Sequence, residues 1–152
     1  MKVLMFLLSW CLLASAHASS YVIGDTVAPL SLQDQHEHSL SLTTQTRVVL
    51  FSRDMKGGDI IKEALEIMAE KRPDNLVYVA DISGMPSLIA KYVAIPKMRE
   101  LAFSIALDTE GEQTRLWPAT KEAASVIILD SLKVIEVSYF VSSDALVEAL
   151  MH

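Results

Sequence analysis

Cysteine, glycine and proline are scarce in this sequence. Cysteine occurs once in 152 residues, at position 11, and glycine and proline occur five times each. A collagen-like, low-complexity or disulfide-rich chain would need far more of one of these residues. No stretch beyond residue 13 is apolar for long enough to cross a bilayer. The class that remains is a globular domain long enough to bury its own core.

Basic residues are outnumbered by acidic ones. The chain has 13 Lys and Arg against 19 Asp and Glu, which gives a net charge of −6 at pH 7. This balance argues against nucleic acid or an anionic membrane surface as a partner. The Gly-x-Ser-x-Gly, Walker and dinucleotide-binding patterns are missing, and with them the usual signals of hydrolases, NTPases and dehydrogenases.

The first 18 residues have the pattern of a signal peptide. Lys2 precedes a short apolar stretch, Val3 to Leu13, and Ala16-His17-Ala18 is a small-x-small cleavage pattern. We expect residues 1–18 to be removed on export to the periplasm, with release beyond it left open, and residues 19–152 to fold as one domain. Cleavage removes Cys11, so the mature chain would have no thiol, and its 12 basic and 19 acidic residues would give a net charge of −7.

A strand, a loop and a helix are predicted in succession over residues 46–72. The run 48–51 is continuously apolar, which is typical of a strand buried on both faces. Gly57-Gly58 predicts a flexible turn, Asp59 is expected to cap the helix after it, and apolar residues recur at helical spacing over 60–68. The loop would then lie at the carboxyl end of a strand, where open α/β sheets usually bind their ligands.

Further strands and two more helices are predicted along the rest of the chain. Alternating apolar and polar residues on both sides of Gln33–Ser39 predict a hairpin at a sheet edge. Ser87 is expected to cap a helix that Pro96 ends or kinks, and Ser143 to cap the last helix. The other predicted strands cover residues 76–82, 103–107, 125–129 and 134–141. The order is a hairpin, βαβα, one more strand and ββα.

This order resembles the thioredoxin fold. Ile23-Gly24-Asp25 with Ala28-Pro29 is similar to the lead-in of peroxiredoxin-like and TlpA-like proteins, and Ala124 to Asp130 is similar to the strand before their final hairpin. Within that superfamily the chain most resembles the YtfJ-type periplasmic proteins, on this strand and on the turn of Leu107-Asp108 with Gly111. The resemblance implies a three-layer α/β/α sandwich with a central mixed sheet and an N-terminal β-hairpin extension.

The redox motif of that superfamily is not carried over. The two cysteines of a thioredoxin would fall near Lys56 and Asp59, and the cis-proline that faces them would fall at Ala124. Because the mature chain has no thiol, disulfide exchange and thiol peroxidase activity are excluded for that chain alone. We assign no catalytic residue and expect no cofactor.

The candidate binding site is the predicted loop end of the sheet. Free N–H groups at the helix start, together with Arg53 and Lys56, could hold a small anion or a peptide, but Asp59 would compete for those groups and a solvated turn is the alternative. Trp117 would be either a wall of a peptide site or a plug over the end of the sheet. The full set is Arg53, Asp54, Lys56, Gly57, Gly58, Asp59, Met85, Pro86, Trp117 and Ala124.

Two other clusters have simpler interpretations. His36 and His38 are weak candidates for a metal, because zinc sites need three or four ligands and no third is near in sequence, so we expect no metal site. Asp54, Asp81 and Asp108 follow or end strands and could pair as acid/base carboxylates, but turn formation is the simpler reading.

The expected function is that of an exported, redox-inactive binding or accessory module. Its partner would be an envelope protein, a peptide or a small ligand at the loop end of the sheet. The alternative is an envelope enzyme, or a redox or metal accessory factor, that takes a cofactor, a metal or a thiol from elsewhere. A third hypothesis is homo-oligomerisation through a sheet edge or through the strand of Tyr139-Phe140, for which the sequence gives no direct sign, so the oligomeric state stays open. One concave pocket at the loop end would favour ligand binding, and a collapsed apolar plug would favour an interaction role.

Overall fold

The structure of the chain is a computed structural model that describes residues 20–152, so the expected signal peptide lies outside the described residues. The strands are β1 (Ser31–Gln33), β2 (Ser39–Ser41), β3 (Val48–Ser52), β4 (Leu76–Asp81), β5 (Ile105–Asp108), β6 (Ala124–Asp130) and β7 (Lys133–Phe140). The α-helices are α1 (Met55–Met68), α2 (Ser87–Ile89), α3 (Ile95–Met98) and α4 (Ser143–Met151). From residue 20 onward, no helix is both long and apolar enough to cross a membrane.

All of these strands belong to one mixed sheet in the order β2-β1-β5-β4-β3-β6-β7. Strand β3 pairs in parallel with β4, and β4 with β5, whereas β1–β2, β3–β6 and β6–β7 are antiparallel. The predicted edge hairpin and the predicted antiparallel final pair are both confirmed. Because β3, β4 and β5 run in one direction, their carboxyl ends lie together at one end of the strands. We call this end of the sheet the loop end.

The two faces of the sheet are covered in different ways. Leu50 and Phe51 are fully buried and adjacent, so they point to opposite faces. Leu50 joins a core cluster that contains residues of α1, α3 and α4. Phe51 joins a second cluster. Its covering residues come from residues 20–30 before β1, which we call the lead-in segment, from Leu42 and from Trp117. In the described part of the chain, the layer over this second face is therefore built from irregular segments and not from helices.

The first helix begins earlier than the sequence predicts. Helix α1 starts at Met55, and its N-cap is Asp54, whose carboxylate accepts from the N–H of Gly57. Gly57 and Gly58 lie inside the first turn of the helix, so the predicted flexible turn and the predicted cap at Asp59 are wrong. The error arises because Asp54 is an equally good capping residue, and glycine is tolerated in a helix when something approaches closely.

The predicted ends of the other helices also need correction. Pro86, which makes no side-chain capping bond, precedes α2, and Ser142 rather than Ser143 caps α4 by accepting from Ala145. Pro96 does not end its helix. A π-helical segment, Ala90–Ala94, joins α2 to α3, so the helix changes type directly before Pro96 and continues through it to Met98.

The hairpin turn is anchored by a buried amide that its polar sequence does not reveal. Gln35 is 1% exposed. Its Nε2 donates to the carbonyls of Met98 and Phe103, and its Oε1 accepts from the N–H of Ile105. Gln35 thus ties the hairpin to the start of β5. The β1–β5 pairing itself is a single pair, Gln33 with Leu107.

Candidate functional site

Arg53 joins three loops at the loop end. Its Nε donates to Asp81 Oδ2 at 3.1 Å, and its Nη2 donates to the carbonyl of Thr114 at 2.5 Å. The guanidinium also lies 5.2 Å from the centroid of the Phe51 ring. With one carboxylate, one carbonyl and one aromatic face as partners, Arg53 ties strand ends together. Its charge is therefore partly satisfied within the fold.

Asp54 fills the helix N-terminus that was expected to hold an anion. Its Oδ1 accepts from the N–H of Gly57 at 2.8 Å, and its Oδ2 accepts from the N–H of Glu122 at 2.7 Å. A carboxylate in this position interacts favourably with the positive end of the helix dipole. One side chain thus caps α1 and holds the segment before β6 against it, and an external anion would have to displace it.

Asp81 and Asp108 lie side by side in the β4–β5 register, yet each is engaged by its own turn. Asp81 Oδ1 accepts from the N–H and the hydroxyl of Ser83. Asp108 is 3% exposed and accepts from Gly111 N–H through Oδ1 and from the N–H and hydroxyl of Thr114 through Oδ2. These partners are those of turn-forming aspartates, as the simpler reading of the sequence predicts.

Trp117 and Ala124 lie beneath the loop-end surface. Trp117 is 3% exposed and packs edge-on against Phe51, with ring centroids 5.2 Å apart. The space beside it, lined also by Tyr21 and Leu129, leaves no volume for a water molecule. Ala124 is fully buried. Trp117 therefore takes the position of a plug over this face of the sheet, and Ala124 supports the surface from below.

The exposed part of the candidate site is the beginning of the two helices at the loop end. Met55, the first residue of α1, is 75% exposed, and Leu88, the second residue of α2, is 69% exposed. Lys56 and Pro86 are exposed beside them. Because β3 and β4 are adjacent and parallel, the helices that follow them both begin at the loop end. Charged and apolar groups are thus presented together there.

The remaining members of the predicted set support this surface. Asp59 is exposed in the first half of α1, and Met85 is half-buried and packs against the helical core cluster. Behind Gly58 lies a buried pair, Tyr78 and Ser52, whose hydroxyl oxygens are 3.0 Å apart. Burial raises the pKa of Tyr78 to about 12, and the hydrogen bond to Ser52 opposes that rise.

An open cleft lies away from the loop end. It has a volume of about 290 Å³ and is lined by Leu65 of α1, Arg72 of the segment that follows, Leu76 of β4 and Phe103 before β5, among others. Neither this cleft nor the filled space beside Trp117 opens at the loop end.

His36 and His38 lie together on the hairpin turn, with ring centroids 6.1 Å apart. His38 Nδ1 is 3.7 Å from Asp34 Oδ2, and Asp34 is buried. Burial acts to raise the pKa of Asp34, but the N–H groups of His38 and His36 donate to it and hold its pKa below the ordinary value of 3.8. Over residues 20–152, no group of three or more His, Cys, Asp or Glu is arranged to hold a metal.

Sequence reasoning missed four contributors to this site. Thr114 and the backbone of Glu122 hold Arg53 and Asp54 from more than 60 residues away, a distance at which no local pattern exists. Met55 and Leu88 belong to no motif that marks a site, and their exposure is visible only in the structure.

No family model and no curated protein matches the chain. Several solved structures do. The peroxidoxin BcpB from Mycobacterium tuberculosis matches with a TM-score of 0.57 at 18% identity, over 85% of this chain and 93% of that one. A putative thiol:disulfide interchange protein DsbE from Chlorobium tepidum matches with a TM-score of 0.54 at 16% identity, over 88% of this chain and 100% of that one. An exposed lipoprotein thioredoxin from Streptococcus pneumoniae matches with a TM-score of 0.55 at 14% identity, over 81% of this chain and 98% of that one. The predicted α/β, thioredoxin-like fold is confirmed, and identities this low bear on the fold alone.

Proposed function

We propose that this chain is an exported, thiol-free binding or accessory module that engages its partner through the loop end of the sheet. The observation that carries the proposal is the exposure of Met55 and Leu88, at 75% and 69%, beside polar side chains that are bonded within the fold. Methionine adapts its shape to different apolar partners, and exposed apolar groups on a rigid base are typical of interaction sites.

The base of this surface is rigid because its charges are used internally. Arg53 is bonded to Asp81 and Thr114, and Asp54 is bonded to Gly57 and Glu122. A surface held in this way needs little ordering when it binds, which favours affinity. The space beside Trp117 is already filled, so a peptide or a protein suits the surface better than a buried small ligand.

We infer the localisation of the protein from its first 18 residues and from its resemblance to the YtfJ-type proteins. Lys2, the apolar stretch and Ala16-His17-Ala18 support export to the periplasm. A likeness to the YtfJ-type periplasmic proteins accords with that localisation. One of the proteins with the same fold is an exposed lipoprotein thioredoxin.

Site-specific cross-linking in the intact envelope tests the proposal. A photoreactive amino acid is placed at Lys56 in one variant and at Glu66, an exposed residue later in α1, in a matched control. We expect a cross-linked species at position 56 that is absent at position 66 and that is lost when Met55 and Leu88 are changed to Ser. Equal yields at both positions, or no cross-linked species at position 56, would contradict the proposal.

A further inference from the structure

The lead-in segment covers only the first part of the outer edge of β7. Val134 donates its N–H to the carbonyl of Asp25 and accepts from the N–H of Gly24, both at 2.8 Å, and Thr26 bridges to Lys133 in antiparallel orientation. The lead-in then leaves the edge, since Tyr21 bonds to Leu116 instead. The outer edge of β7 thus already accepts an antiparallel strand, but the coverage that residues 20–152 provide stops at Val134.

Backbone groups of Val137 and Tyr139 face the open part of the edge. Leu129 in β6 donates its N–H to the carbonyl of Arg47, away from β7. In an antiparallel pair, the residue opposite an outward-facing residue also faces outward, and Val134, opposite Leu129, does so. Along β6, the backbone N–H and C=O groups of successive residues point alternately toward β3 and toward β7. Those of Ile127 and Ser125 therefore point toward β3, as those of Leu129 do, and the residues opposite them in β7 face outward. These outward-facing residues are Val137 and Tyr139.

Apolar side chains are exposed along the same edge. Ile135 is 49% exposed, Tyr139 45% and Val141 75%. The turn beside Val134 adds Val22 and Ile23, at 60% and 68%. Unpaired backbone groups beside exposed apolar side chains are a template for pairing with another strand.

We propose that the outer edge of β7 pairs with β7 of a second copy of this chain, antiparallel about a two-fold axis at Ser138. Val137 would exchange hydrogen bonds with the partner's Tyr139, and Tyr139 with the partner's Val137. Ser138 would face the partner's Ser138 as a pair without hydrogen bonds. Ile135 lies at a β-bulge and Val141 follows the end of β7, so the regular pairing covers residues 136–140. The surface is distinct from the loop-end site, and the inference does not depend on the proposed function.

The sequence of β7 is complementary to itself in this register. Apolar residues meet apolar residues on the face that carries Val137 and Tyr139, which is the pairing that stabilises antiparallel strands. Glu136 lies opposite the partner's Phe140, so no like charges face each other. The two Glu136 residues are offset by four positions, about 13 Å along the strand. That separation exceeds the screening length of about 8 Å at physiological ionic strength.

Pairing in this orientation leaves both loop-end surfaces free. The carboxyl end of β7 lies at the loop end of its own copy, because β7 is antiparallel to β6, which begins there. A two-fold axis reverses the partner strand. In the continuous sheet of two copies, the two loop-end surfaces would therefore lie at opposite ends of the strands. One assembly could then engage two partners.

The mass of the exported protein in solution tests the pairing. We expect light scattering to give the mass of two chains, with dissociation on dilution. Changing Tyr139 and Val141 to Lys should raise the dissociation constant at least about tenfold, because edge lysines oppose strand pairing. Leu88→Lys, at an exposed apolar residue away from β7, is the matched control and should leave the mass unchanged. Thermal unfolding followed by circular dichroism checks that each variant is folded.

Cysteine trapping tests the register, and the scarcity of thiols makes it specific. Cys11→Ser combined with Ser138→Cys leaves one thiol, at a pair whose Cα atoms would be about 4.5 Å apart, within disulfide reach. We expect a covalent dimer on mild oxidation. Ser41→Cys in β2, at the other edge of the sheet, is the control and should stay a single chain. A single-chain mass at all concentrations, or cross-linking at position 41 equal to that at 138, overturns the proposal.

Discussion

Gly57 packs directly against the carbonyl group of Ala123. A Cβ at position 57 would overlap the Ala123 oxygen and lie 3.0 Å from its carbonyl carbon. The segment before β6 is fixed at this point by Asp54, which bonds to both Gly57 and Glu122. The first turn of α1 and the segment before β6 can lie this close together only because residue 57 has no side chain.

Gly57→Ala should destabilise the protein, whereas Gly58→Ala should not. The added methyl group at position 57 meets backbone that cannot move without breaking the Asp54 bonds, so we expect the free energy of unfolding to fall by about 2 kcal/mol. A Cβ at position 58 lies 3.5 Å from the Tyr78 hydroxyl, an ordinary contact, and alanine is the better helix former by up to about 1 kcal/mol. Urea unfolding of both variants measures the difference. A stable Gly57→Ala variant would show that the segment before β6 can move.

Asp54→Ala should lower stability and Asp59→Ala should not. Asp54 caps α1 and also accepts from Glu122, and the loss of both bonds should reduce the free energy of unfolding by about 2 kcal/mol. Asp59 is exposed within the helix, and its removal should change stability by less than about 0.5 kcal/mol. Chemical denaturation of the two variants gives the comparison. The reverse ranking would place the cap at Asp59, as the sequence alone predicts.

Stability should fall in strong alkali because of Tyr78. Burial raises the pKa of Tyr78 from 10.0 to about 12. Between these two values the unfolded chain loses the proton while the folded protein keeps it, so the folded state binds more protons and stability decreases as the pH rises. The contribution is fully present below pH 10, and about 2 kcal/mol of it is lost by pH 12.

The comparison with Tyr78→Phe isolates this contribution from the other tyrosines. Unfolding free energies of the wild type and the variant are measured at intervals from pH 9 to 12, the upper value being about the pKa of Tyr78. The wild type should lose more stability than the variant over this interval. Parallel curves would mean that Tyr78 ionises with the same pKa in the folded and unfolded states.

The strands could be predicted closely from the sequence, but the helix ends could not. Continuous apolar runs at residues 48–51 and 76–80 identify β3 and β4 because both faces of these strands are buried. Helix ends depend on which of several suitable capping residues is used. Asp54 prevails over Asp59 because Glu122 and the close approach at Gly57 hold it in place, and neither partner is near in sequence.

The sequence predicts where the candidate residues lie but not the contacts that they make. Every predicted position lies at or beneath the loop end, since strand ends follow from the strand pattern. The predicted anion pocket is occupied by Asp54, and Arg53 is turned inward to Asp81 and Thr114. These roles depend on partners 28 and 61 residues away, which no local pattern encodes.

The sequence by itself determined the fold class, the edge hairpin, the antiparallel final pair and the absence of a thiol beyond Cys11. These properties follow from composition and from the period of apolar residues, which act over a few positions. Only the tertiary structure decided that Trp117 and Gln35 are buried and that, from residue 20 onward, the chain covers the outer edge of β7 no further than Val134. A polar or aromatic side chain can be solvated or buried with equal local preference, and the partners that satisfy it once the chain has folded determine which occurs.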